Sequence, residues 1–238
     1  MNSDCLQLKK WIDESDNIVF FGGAGVSTES GIPDFRSVDG IYRQEWKYPP
    51  ERILSHTFFE MNPEEYYRFH RKKLVIHGVQ PNRAHIRLAE LEKEGKLKAV
   101  ITQNIDGLHQ AAGSRNVLEL HGSILRAHCS RCGKPVDADV INHGKNIPKC
   151  SCGGVIRPDI VLYEEPLDES VLSEAIRLIR AADVLIVGGT SLNVYPAAGL
   201  INYYSGNKLV LINLSETPYD SYANLIIHKK IGEVFSQI

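Results

Sequence analysis

A short apolar run that ends in glycines, Asn17-Ile-Val-Phe-Phe21 followed by Gly22-Gly23-Ala24-Gly25, constrains this chain more than any other feature. A strand with no polar face must lie inside a sheet that is covered on both sides. Glycines directly after it allow a tight turn and a close approach of backbone to ligand, the opening of a nucleotide-binding α/β unit. Three more such runs follow: Ala99-Val-Ile-Thr102, Asp183-Val-Leu-Ile-Val187 and Leu209-Val-Leu-Ile-Asn213. A helix is expected ahead of each, over His85 to Glu94, Asp168 to Ala181 and Ala197 to Ser205. Leu6, Leu8, Trp11 and Ile12 predict another before the first strand. The alternation predicts an α/β fold: a Rossmann-like parallel sheet with helices on both faces.

Two stretches break that alternation. From Ile32 to about Pro50 there is no periodicity, and Pro33, Gly40, Pro49 and Pro50 punctuate it. A loop this long within a compact domain is usually functional, often a lid. From about Leu125 to Arg157 large apolar residues are scarce, while Cys129-x2-Cys132 and Cys150-x-Cys152 hold four of the five cysteines. Such a segment needs a staple other than its own core. Two close pairs of thiolates suit one tetrahedral zinc, Zn2+, and four protein ligands leave no position for water, so the metal would be structural. Reduced core cysteines or a disulfide are the alternatives. His128 and His143 are read as surface residues, and Cys5 as part of the first helix.

The 238 residues suit one catalytic domain with insertions, and the formal charge of −2 points to no nucleic-acid partner. The amino-terminal residues lack the apolar core of a signal peptide, and no apolar run reaches the roughly 20 residues that span a bilayer, so a cytoplasmic protein without membrane partners is expected. The expected division is a large Rossmann-like part over about 1–36, 78–124 and 158–238. A helical and lid insertion spans about 37–77, and the zinc-ribbon module about 125–157.

Gly23-Ala24-Gly25-Val26-Ser27 stands where a phosphate-binding loop would, with N–H groups of a following helix start to receive charge, although Thr28 replaces the third glycine of the usual fingerprint. On the pattern alone a tight turn without ligand remains open. Gly188-Gly189-Thr190-Ser191 and Asn213-Leu214-Ser215-Glu216 also follow apolar strands, and ligands bind beyond the carboxyl ends of such strands. Asn213 and Glu216 are candidates for adenosine hydroxyls, and the lack of a nearby arginine favours NAD over NADP. Gln103-Asn104-Ile105-Asp106 follows another strand, and His121 ends the run Leu118-Glu-Leu-His121-Gly122. A single histidine is more often structural than catalytic.

Taken in order, Gly23 to Ser27, Ser30-Gly-Ile-Pro-Asp-Phe-Arg-Ser37, Thr102 to Asp106 with Leu108-His109, Glu119 to Gly122, the paired cysteines, Gly189-Thr-Ser191 and Asn213-Leu-Ser215 resemble the sirtuins over nearly the whole chain. The resemblance implies an NAD-dependent protein-lysine deacylase that releases nicotinamide and acyl-ADP-ribose. It makes His121 the general base toward a ribose hydroxyl and Asn104 a holder of a ribose hydroxyl or bound water. Asp106 and Ile105 would hold the nicotinamide carboxamide, Phe35 would shield the reacting ribose, and Arg36 and Gln103 would position phosphate and ribose. Ala24, Thr28, Thr190, Ser191, Asn213 and Ile231 would line the dinucleotide. The same residues read without the family are a loop anchor at Phe35, a surface ion pair at Arg36 and a turn at Asp34.

On the peptide side, Val161 and Tyr163, with Asn193 and Tyr195, would take up acetyl-lysine protein or peptide substrates as an added strand. Tyr163-Glu164-Glu165 stands where the family usually carries phenylalanine-glycine-glutamate, so the loop's geometry departs from the pattern. Glu164 and Glu165 would favour basic flanks on the substrate, or form a solvated pair. Relatives that remove acidic acyl groups carry a tyrosine and an arginine, and the matching place reads Tyr67-Arg-Phe-His70. Acetyl and other uncharged acyl groups are therefore expected. The competing activities are mono-ADP-ribosyl transfer, NAD hydrolysis, non-catalytic NAD-binding regulation and hydride transfer. The sequence supports a monomer without requiring one.

Overall fold

The structure, a computed structural model, describes residues 3–37 and 39–238; Met1, Asn2 and Val38 lie outside it. The chain forms nine strands among the described residues: β1 Ile18–Gly22, β2 Leu97–Thr102, β3 Val117–Glu119, β4 Gly122–Cys129, β5 Pro135–Asp137, β6 Ile156–Ile160, β7 Val184–Gly188, β8 Leu209–Ile212 and β9 Leu225–Ile227. Six of them make one parallel sheet in the order β3-β2-β1-β7-β8-β9. Chain order reverses between β1 and β7, which in doubly wound sheets places the ligand crevice at their carboxyl ends.

The period of two along β1 divides the core. Ile18 and Phe20 pack on one face with Leu8, Ile12, Leu88, Leu91 and Phe235, while Val19 and Phe21 pack on the other with Ala175, Ile179 and Ile201. The helices Ser3–Asp13, Arg83–Lys93 and Ile231–Phe235 cover the first face, and Glu169–Ala181 and the turn Ala197–Tyr203 the second. Each long helix has a local cause. The Asp168 carboxylate accepts from Ser170 and Val171 N–H, capping the helix Glu169–Ala181. The Lys96 ammonium donates to the carbonyls of Ile12, Asp13 and Ser15, closing the end of the first helix.

The expected helix after Ala197 is a 3-10 segment, Ala197–Tyr203. Among the described residues, the loop from Ile32 to Pro50 contains one 3-10 turn, Ile41–Arg43. The helix expected after the glycine turn is two 3-10 turns, Ala24–Val26 and Thr28–Ser30.

The second sheet is antiparallel, in the order β5-β4-β6. Its apolar residues Ile124, Ala127, Ile156 and Ile160, with Ile141 of the short helix Asp139–Asn142, share one core with Ile53, Phe58, Phe59, Tyr66, Tyr67 and Phe69 of the helices over 50–69. The cysteine-bearing segment thus buries its few apolar side chains against the helical insertion, and the two form one lobe.

Candidate active site

The carboxyl ends of β1, β2, β7 and β8 open on a cleft of about 750 Å³ between the two lobes, lined by residues from 23 to 231. Its floor is a close crossing of two turns. Gly23 N–H donates to Gly188 O (3.2 Å) and Gly25 N–H to Gly189 O (2.7 Å). A Cβ on Gly25 would stand 2.8 Å from the Gly189 Cα, so any side chain there would force the turns apart. The glycines therefore set how closely backbone N–H groups can meet a ligand.

All eighteen residues expected to bind the dinucleotide line this cleft: Gly23, Ala24, Gly25, Thr28, Phe35, Arg36, Gln103, Asn104, Ile105, Asp106, His121, Gly189, Thr190, Ser191, Asn213, Leu214, Ser215 and Ile231. Of the peptide-side candidates, Val161, Tyr163 and Tyr195 line it as well. Asn193 does not: it is exposed and outside the lining, where Val194 stands instead. Leu192, just before it, adopts a left-handed φ of 55°. Glu216, Lys229 and Lys230 also line the cleft, whose only arginine is Arg36.

His121 sits at the joint between β3 and β4, and the joint is tightly determined. Gly122 has φ 74°, and a Cβ on it would lie 1.8 Å from Asp159 O, so only glycine lets β6 pass this close. The Nδ1 of His121 lies 3.0 Å from Gln103 O. A carbonyl can only accept, so Nδ1 carries the proton and Nε2 is left as the basic nitrogen. Burial pushes the His121 pKa below the usual histidine range, and the Gln103 carbonyl opposes this. The ring is therefore neutral at neutral pH. Its own carbonyl accepts from Val161 N–H (3.0 Å), which ties the histidine to the segment just after β6.

Asn104 and Asp106 meet through Ser27, a residue the glycine-loop motif contained without singling out. Ser27 Oγ donates to Asp106 Oδ2 (2.6 Å) and accepts from Asn104 Nδ2 (3.0 Å). Burial raises the Asp106 pKa, while Ser27 and the Leu108 N–H hold the charged form. Gln103 Nε2 donates to Thr190 Oγ1 (3.0 Å), joining β2 to β7 across the switch point. Asp34 forms the expected turn, accepting from Arg36 and Ser37 N–H. Phe35 stands edge-on to Tyr42 at 5.5 Å, with the Arg36 guanidinium 5.3 Å over the same ring. No motif marked Tyr42, yet its hydroxyl lies 2.6 Å from that of Tyr163, joining the loop over 32–50 to the segment after β6.

The acidic pair after Tyr163 makes hydrogen bonds within the protein. Glu164 accepts from Thr57 N–H (2.8 Å) and Thr57 Oγ1 (2.7 Å), and Glu165 pairs with Arg157 and His56. Arg157 offsets the charge of Glu165, whereas Glu164, exposed and among the residues that line the cleft, keeps its own. Glu164 also adopts φ 77°, a left-handed conformation suited to glycine. Its bonds to Thr57 hold it there. Glu164→Ala loses those bonds and keeps the strain, whereas Glu164→Gly loses only the bonds. The alanine variant should melt roughly 2–8 °C below the glycine variant by calorimetry. An equal or reversed order would mean that the backbone there is unstrained.

The four cysteines Cys129, Cys132, Cys150 and Cys152 converge, with all four sulfurs within 4.8 Å of one another. His128 is paired with Asp159 and His143 with Asp139, outside the cluster. Four convergent sulfurs with no carboxylate or imidazole among them fit one structural zinc ion.

A family model described as the Sir2 family matches residues 23–196. The NAD-dependent protein deacetylase of Clostridium acetobutylicum is 57% identical over 236 residues, covering 98% of this chain and 96% of that protein. A solved complex of Sir2 with p53 peptide and NAD+ is similar with a TM-score of 0.87 and 43% identity, over 97% of this chain and 95% of that one. A Sir2 complex containing 2'-O-acetyl-ADP-ribose and deacetylated p53 peptide gives 0.86 and 41%, over 98% and 96%.

Proposed function

The chain belongs to the Sir2 family, the sirtuins, and from that premise we infer that it is an NAD-dependent protein-lysine deacetylase. It transfers acetyl to ADP-ribose and releases nicotinamide. The observation that carries this reading in the chain itself is His121. A neutral imidazole, its tautomer set by Gln103 O, stands in the same cleft as the glycine turns and the Asn104–Asp106 segment.

In the proposed mechanism the acetyl oxygen attacks the ribose C1' of NAD as the bond to nicotinamide breaks. Nε2 of His121 then takes the proton of a ribose hydroxyl, whose oxygen attacks the acetyl carbon. Collapse with water returns the free lysine and acetyl-ADP-ribose. Asn104 holds a ribose hydroxyl, Asp106 and Ile105 hold the nicotinamide carboxamide, and Phe35 shields the reacting carbon. Arg36 and Gln103 position phosphate and ribose. The peptide lies along Val161 and Tyr163 with Tyr195 opposite. The cysteine quartet holds zinc outside the chemistry, as a brace for the small lobe.

The division into a large Rossmann-like part, a helical insertion and a zinc module is part of the same proposal, as is a cytoplasmic location. Among the described residues no helix is long and apolar enough to cross a membrane.

The acyl preference follows from the helix over 63–69 and its continuation. The Tyr67 hydroxyl donates to Ile156 O (2.6 Å), Arg68 pairs with Glu65 and lies over Trp46, and Arg71 donates to Ile141 O. None of the three lines the cleft; Lys73 does, with its ammonium on Gln44. Incubated with NAD, an acetyl-lysine peptide should yield nicotinamide and acetyl-ADP-ribose, at roughly ten times the rate of a succinyl-lysine peptide or more. Labelled ADP-ribose passing to protein without acyl-lysine turnover would instead favour ADP-ribosyl transfer. Faster desuccinylation would place Lys73 on the acyl carboxylate.

A further inference from the structure

Behind Asn104 and Asp106 lies a buried group of side chains to which the proposed mechanism gives no part: Ser27, His85 and His109, exposed by 0%, 0% and 1%. They come from three separate elements: the turn after β1, the helix Arg83–Lys93 and the short helix Leu108–Ala111. A serine hydroxyl has one proton to give and two lone pairs to fill. The proton of Ser27 goes to Asp106 at 2.6 Å, and one lone pair takes Asn104 Nδ2 at 3.0 Å. His85 Nε2 faces the same oxygen at 3.5 Å.

The other ring nitrogen settles which way that contact runs. His85 is the third residue of its helix and completes a capping box, in which Asn82 N–H donates to His85 Nδ1 (3.3 Å) and the Asn82 side chain accepts from Ala84 N–H (2.9 Å). A nitrogen that accepts carries no proton, so the neutral ring bears its proton on Nε2, as a donor toward Ser27. With both lone pairs of Ser27 engaged, its own proton has one place to go, the Asp106 carboxylate. His109 steadies the ring: it meets His85 at 4.7 Å and 61° and leans on Phe20 at 6.1 Å. Neither of its nitrogens has a hydrogen-bond partner among the described residues, so it acts by packing.

We propose that His85 is a positioning residue for the nicotinamide end of the cleft, acting through Ser27 to keep the Asp106 carboxylate aimed and charged. It touches no substrate; it polarises the hydroxyl that does the holding. Burial supports this by keeping both histidines neutral, with pKa values pushed down to about 4 for His85 and about 3 for His109. A protonated His85 would turn an N–H against the Asn82 N–H.

The proposal rests on the assignment of Asp106 to nicotinamide, and its test separates it from deacetylation. Full-length protein is loaded with ADP-ribose, and nicotinamide is titrated in by calorimetry. ADP-ribose binding, measured alone, reports the integrity of the rest of the cleft. His85→Phe should weaken nicotinamide about tenfold while ADP-ribose binding stays within about twofold. His85→Gln, which can place a side-chain N–H near Ser27, should recover most of that loss. Three results would overturn the proposal: unchanged nicotinamide binding in His85→Phe, a parallel loss of both ligands, or no recovery in His85→Gln. Acetyl-lysine turnover is scored separately on the native protein. Its absence, with the nicotinamide pattern intact, would remove the deacetylase reading and leave this one standing.

Discussion

His121→Ala is expected to slow acetyl-lysine turnover by roughly two orders of magnitude or more, the range typical of a lost general base. Proton transfer from the ribose hydroxyl follows nicotinamide departure in the proposed order of steps. The variant should therefore still exchange labelled nicotinamide into NAD, in the presence of acetylated peptide, far better than it deacetylates. That contrast separates a catalytic from a structural histidine, because a collapsed joint at Gly122 would abolish both reactions together. Acidity supplies a second signature. Burial lowers the His121 pKa from 6.5, so the basic form prevails at neutral pH and is lost only at lower pH. The native rate should fall on an acid limb below about 6.5, and in His121→Ala the residual rate should lack that limb. Equal rates for both proteins would leave His121 as a hydrogen-bond donor to Gln103 and nothing more.

Loss of the metal should have an effect of similar size by another route. Structural zinc contributes about 10–16 kcal/mol in small zinc-dependent peptides, and here the four sulfurs tie the Cys129–Cys132 turn at the end of β4 to the Cys150–Cys152 turn ahead of β6. Those strands share their core with Phe58, Phe59, Tyr66 and Tyr67, and Phe35 and Ile105 pack against it. Cys129→Ser with Cys152→Ser should remove bound zinc, from about one per chain to none. It should also lower deacetylation about 100-fold. The parallel sheet keeps its separate cores, so much of the helical circular dichroism should persist. A metal-free protein with native activity would overturn the brace.

The parallel sheet was legible because β1, β2, β7 and β8 are apolar on both faces, and buried parallel strands have no other composition. β9 escaped notice as three residues, Leu225–Ile227, too few to show a period. β6 carries Pro158 inside a pattern of alternating buried and half-buried residues, which reads as loop from sequence. The 3-10 segment at 197–203 is built on Ala197, Ala198 and Gly199, and nothing in their order separates it from an α-helix.

At the site, strand ends were readable because topology alone places them. Side chains that cross between elements were not. Ser27 and His85 are 58 residues apart, and only the fold shows that they meet. Glu164 is exposed, but only the fold shows that Thr57, more than a hundred residues earlier, holds its carboxylate.

The two-part origin of the small lobe has a consequence for how the chain is made. Its aromatic half, over 50–69, leaves the ribosome before its partner strands over 122–160 exist. For the synthesis of more than fifty residues, Phe58, Phe59, Tyr66, Tyr67 and Phe69 have only one another and earlier residues such as Trp46 and Tyr48 to pack against. The contacts that finally bury them are long-range, and such contacts form slowly because a large loop must close first. The small lobe is therefore a late-forming unit, and its unfinished state is the stretch of synthesis most exposed to sticking and to chaperones.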